Sequence, residues 1–250
     1  MSFKQVPPRQ NRLNGLMVAL VAISVSLSGC SLMQKLPLPG KPADSAGSAT
    51  SSTASGSEKA DPKALKAHLD AGNAKAKAGQ WNEAILEFQQ VVAMDPRNVQ
   101  GHVQLGWAYA EMKQWDEAKQ HLISAIALSP DNPGAHANLA WVYAEKRRWH
   151  DAQEEAKKAI DLDPKNAYSH ATLAWAYQST GQEGLAIAEY EKSLELDPKL
   201  ENSRLALGVA YCNQGIAVRA QEQLNQLTKQ GSPKATELQT RLGKGCGGKK

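Results

Sequence analysis

Four of the six histidines, His68, His102, His136 and His170, follow one another at intervals of 34 residues. Imidazole ligates metals and titrates near neutrality, so a histidine column suggests a metal site or a joint that responds to pH. A period of 34 places each ring in a separate structural unit, and equivalent positions of stacked helices stand about 8–10 Å apart. Zinc holds its nitrogens at about 2 Å. Neighbouring members of the column therefore cannot share an ion, and no metal site is assigned. Two readings remain: an amphipathic ring filling a packing slot, and a pH-responsive joint. The sequence contains no nucleophile-elbow serine, no phosphate loop and no His-Glu-x-x-His. Neither an enzyme nor a cofactor is expected.

The period extends through the chain. Pro62, Pro96, Pro130, Pro164 and Pro198 are each 34 residues apart. With Leu65 as place 1, five units run 65–98, 99–132, 133–166, 167–200 and 201–234. Ala84, Ala118, Ala152, Ala186 and Ala220 all occupy place 20. Leu105, Leu139, Leu173 and Leu207 occupy place 7, followed by a small residue, and Tyr109, Tyr143, Tyr177 and Tyr211 occupy place 11. Apolar residues within a unit recur at helical spacing in two blocks, which predicts two helices per unit. The small residues at places 8 and 20 let the two axes approach closely. Asp-Pro or Ser-Pro ends the second helix, because proline lacks an N–H and restricts its predecessor. Gly79, Gly181 and Gly215 at place 15 suit a left-handed turn; Lys113 and Arg147 stand there in the second and third units, where the turn is less ideal.

The run His102, Leu105-Gly106, Tyr109, Ala118, Pro130 resembles the tetratricopeptide repeat, a 34-residue helix–turn–helix unit. The resemblance covers 170 of the 250 residues. Histidine stands where the family usually has tryptophan at place 4. The resemblance implies an all-α fold, an α-solenoid of five helix–turn–helix units over 61–242 with a capping helix at 235–242. The first and last units read as worn caps. It further implies a concave groove lined by the first helices at places 2, 5, 9, 12 and 13. Six tryptophans form two columns, Trp81, Trp115 and Trp149 at place 17 and Trp107, Trp141 and Trp175 at place 9. The first column reads as interhelical packing. Around the second lie Val103, Ala137 and Ala171 at place 5, with Ala110 and Ala144 at place 12. Glu111 and Glu145 occupy place 13. One reading is an apolar, tryptophan-lined trough with an acidic lip, binding proteins or peptide segments. The other is that the place-9 rings pack between units. The family's clamp for terminal carboxylates uses Lys, Asn and Arg at groove places; only Asn73 matches, so that function is not expected.

Residues 1–29 read as a secretory leader: Lys4, Arg9 and Arg12, then a twelve-residue apolar core from Leu16 to Leu27. A membrane span needs about 20 apolar residues. Leu27-Ser28-Gly29-Cys30 resembles the bacterial lipobox, which implies acylation (palmitate) of Cys30 as the first mature residue. Ser31 rather than Asp after it implies sorting to the outer membrane, periplasm-facing. Residues 30–60, rich in Ser, Gly, Ala, Thr and Pro, lack the apolar surface needed for order and predict a tether of roughly 30 Å. Residues 243–250 read as a flexible tail. Without the leader the chain carries 26 basic against 25 acidic residues, too balanced for a nucleic-acid binder. In an oxidising compartment Cys212 and Cys246 are the thiols available to pair; the alternative is one buried side chain and one free terminal thiol.

The expected function is a membrane-anchored scaffold or adaptor that serves cell-envelope assembly through its groove. A narrower expectation is a lipoprotein resembling those of type IV pilus and secretin assembly. A self-assembling array, in which one copy docks into another's groove, is the rival. The oligomeric state, the partner and the pathway are left open.

Overall fold

A computed structural model describes residues 61–247. Helices alternate in antiparallel pairs: α1 (Pro62–Lys77) with α2 (Trp81–Met94), α3 (Val99–Glu111) with α4 (Trp115–Leu128), and α5 (Pro133–Glu145) with α6 (Trp149–Leu162). The pairs α7 (Ala167–Ser179) with α8 (Glu183–Leu196) and α9 (Glu201–Asn213) with α10 (Ala217–Lys229) follow, and α11 (Lys234–Gly243) closes the array. Each helix packs on its sequence neighbours, α3, α5, α7 and α9 also meet one another in order, and α11 lies on α9 and α10. This is the α-solenoid that the resemblance implied, with no strand among the described residues.

The side chains of Asn98, Asn132 and Asn166 accept hydrogen bonds from the backbone N–H groups of Gly101, Ala135 and Ser169 at 2.8–3.0 Å. Each satisfies one of the donors left unpaired at the start of α3, α5 or α7. Asp95, Asp163 and Asp197 accept from the N–H two residues on, which shapes the turn around each Asp-Pro.

Close approach of the paired axes accounts for the small residues. All five place-20 alanines have no exposed surface. A Cβ on Gly106 would lie 2.5 Å from Leu122 Cγ and 3.2 Å from the Ala118 carbonyl oxygen, so α3 and α4 touch where neither has bulk. Phe88 and Val91 of α2, wholly buried, fill the start of the array.

Gly79, Gly181 and Gly215 turn with φ of 73°, 78° and 75°, and Lys113 and Arg147 adopt the same left-handed geometry at 59° and 56°. A residue with a Cβ pays about 1–2 kcal/mol there, partly offset by glycine's greater freedom when unfolded. Lys113→Gly and Arg147→Gly are each expected to raise stability by about 0.5–1 kcal/mol. Denaturant unfolding at constant slope measures it; an unchanged or lower midpoint contradicts the assignment of strain to these turns.

The histidine column joins consecutive units. Nε2 of His102, His136 and His170 meets the carbonyls of Pro96, Pro130 and Pro164 at 3.0, 2.8 and 3.2 Å. A carbonyl only accepts, so Nε2 carries the proton. Nδ1 turns to the second helix of the same unit: Glu155 for His136 and Glu189 for His170, both at 2.6 Å. These contacts become ion pairs when the ring carries both protons. In the fifth unit Arg204 repeats the arrangement, donating to the Pro198 carbonyl at 2.8 Å and to Gln223 at 3.2 Å. His102 instead faces His121 across 3.1 Å. Burial, followed by the neighbouring His102, holds the His121 imidazole below its ordinary range. Among the described residues no three His, Cys, Asp or Glu side chains gather where an ion could sit.

Candidate protein-binding groove

The first helices of units two to five line a groove of about 1120 Å³. Trp107, Trp141 and Trp175 stand in it, one per unit, with Ala137 and Ala171 between them and Glu111 and Glu145 at its edge. Of the ten residues expected in and around the trough, these seven line it. Val103 does not: it is 8% exposed and packs with Ala125 and Ala135. Its branched side chain reaches the α4–α5 contact, which the single methyl of Ala137 or Ala171 at the same place does not fill. Ala110 and Ala144 are likewise buried, against the second helix of their own unit and the first helix of the next.

The two tryptophan columns meet. Trp81 lies edge-to-face on Trp107 with ring centroids 5.0 Å apart, Trp115 on Trp141 at 6.0 Å, and Trp149 on Trp175 at 5.4 Å. Each pair joins the second helix of one unit to the first helix of the next. All six rings are half-buried. The packing and groove readings therefore hold together: an edge contact fixes each place-9 ring while part of it faces the trough. The Trp107 indole N–H also donates to Glu111 at 3.2 Å, which orients ring and carboxylate jointly.

Further lining residues went unnamed in the sequence. Tyr168, 67% exposed, enters from place 2 with Gly134 and Asn202; the family rule for place 2 would have found them. Asn138, Thr172 and Ala206 enter from place 6, for which the rule gave no signal. Lys199 precedes α9, and Lys234 belongs to the capping helix.

The structure brings Cys212 and Cys246 together as a disulfide with Cα atoms 4.5 Å apart. Cys212 is buried in α9 beneath the segment that follows α11. Cys30 lies outside the described residues, as do the leader and the tether.

Tetratricopeptide-repeat profiles match residues 75–125, 109–176 and 167–200, together half of the chain. The chain belongs to the tetratricopeptide repeat family. No curated protein matches it. Among solved structures, MamA is similar at 24% identity over 73% of this chain and 95% of that one, with a TM-score of 0.53. MamA from Desulfovibrio magneticus RS-1 is similar at 18%, over 71% and 96%, with 0.56. PilF of Pseudomonas aeruginosa is similar at 19%, over 73% and 84%, with 0.65. These likenesses establish the tetratricopeptide fold.

Proposed function

We propose that this chain is a lipid-anchored scaffold of the bacterial envelope, periplasm-facing at the outer membrane, whose groove captures a segment of a partner protein. The observation carrying this reading is the row of three half-buried tryptophans held by edge contacts along one concave surface. Rigid aromatic rings beside alanines leave recesses for apolar anchors, and Trp is typical of binding hot spots. The groove is long enough for an amphipathic helix or an extended segment. The narrower reading, a lipoprotein of type IV pilus or secretin assembly, rests on the combination of lipobox, tether and repeats.

A photoreactive residue tests the groove in intact cells. Placed at Tyr168, inside the trough, it is expected to give a discrete crosslinked product; placed at Leu86, 60% exposed on α2 and outside the trough, it is expected to give none. Equal products at both sites, or none at Tyr168, contradict the capture reading. Anchoring is tested separately. Several acyl chains on one cysteine hold stably where a single chain holds weakly, so Cys30→Ala is expected to move the chain from the membrane to the soluble fraction. A variant that still needs detergent for extraction contradicts the lipoprotein assignment.

A further inference from the structure

The charges lining the groove are segregated. Glu111 and Glu145 are the last residues of α3 and α5, at the negative ends of those helix dipoles. Both are exposed, and among the described residues neither forms an ion pair with a cation. Across the trough, Lys199 lies two residues before α9 and Lys234 is the first residue of α11, at the positive ends of those helices. Neither lysine is paired among the described residues. Glu201, the remaining charged residue of the lining, accepts a hydrogen bond from Ser232 at 2.7 Å. Side-chain charge and helix dipole have the same sign at Glu111, Glu145, Lys199 and Lys234, while Glu201 in the first turn of α9 offsets part of the charge at the basic end; Trp141, Trp175, Ala137 and Ala171 lie between.

From this charge pattern we infer that the groove takes a protein segment with an apolar middle, a basic end that meets Glu111 and Glu145, and an acidic end that meets Lys199 and Lys234. The inference rests on the capture reading above and names the chemistry of what is captured. Two to three helix layers of about 8–10 Å, together with the length of a first helix, about 20 Å, separate the charged ends by about 25–36 Å, which an extended segment crosses in about seven to eleven residues. Unpaired charges at both ends favour such a segment and reject one whose ends carry the same sign.

The test uses four labelled synthetic peptides with blocked termini and one shared core of about seven leucine and proline residues. Their ends carry lysines opposite glutamates, lysines only, glutamates only, or serines only. At low ionic strength the split-charge peptide is expected to bind about tenfold more tightly than the serine-ended one, with both like-charged peptides weaker than the split-charge peptide. The advantage should fade at ~0.5 M salt. In the double variant Glu111→Lys with Glu145→Lys, both ends of the groove are basic, and the glutamate-ended peptide becomes the best ligand. These positions are exposed, and a helical spectrum identical to that of the parent confirms the fold. Equal binding of all four peptides overturns the charge inference and leaves apolar capture standing. Failure of every peptide, the serine-ended one included, overturns both.

Discussion

Loss of the Cys212–Cys246 bridge is expected to destabilise the C-terminal end of the array by about 3–4 kcal/mol. The bridge closes a loop of 34 residues, and the chain-entropy model assigns a cross-link of that span this magnitude. The loop contains α10 and α11, and α11 packs on both α9 and α10 at the end of the array: Leu238 is wholly buried there, with Leu242 beside it. A solenoid unit contacts only its neighbours, so the loss stays local. Reductant should therefore speed amide exchange in α9, α10 and α11 while α3 to α6 keep their protection. Cys246→Ser should behave in the same way without reductant and gain no further sensitivity from it. Intact mass provides the companion check: reduction adds two hydrogens. An unchanged mass, or exchange that is indifferent to reductant, contradicts the bridge.

The repeat was legible because close packing leaves few choices. Where two helix axes approach as closely as α3 and α4, only Gly106 opposite Ala118 fits, and the constraint returns every 34 residues with a proline to end it. Turn geometry was less legible: Lys113 and Arg147 look wrong for a left-handed turn, yet the flanking helices impose it on them. The joint between His136, Glu155 and the Pro130 carbonyl was hidden, since ring and carboxylate are 19 residues apart on different helices. Position within the repeat also underdetermined the groove. Val103, Ala137 and Ala171 share one place, and side-chain size sends the first into a helix contact and leaves the others in the trough. The tryptophans posed an apparent choice between packing and binding that the geometry dissolves, because a planar ring offers an edge to one neighbour and a face to another.

That double role supplies the control for the central claim. Trp115 and Trp141 form one edge-to-face pair, and truncating either ring removes the same contact, worth about 0.5–1.5 kcal/mol beyond the buried area. Only Trp141 lines the groove. Both Trp115→Ala and Trp141→Ala should melt at a lower temperature than the parent. Truncating a hot-spot ring costs about 2 kcal/mol or more of binding, roughly a thirtyfold loss of affinity. The deciding measurement is the yield of the photocrosslinked product at Tyr168 in the two variants, taken well below both melting temperatures. The account predicts a product retained in Trp115→Ala and reduced at least tenfold in Trp141→Ala. Equal yields in the two variants, whether both retained or both lost, would contradict it.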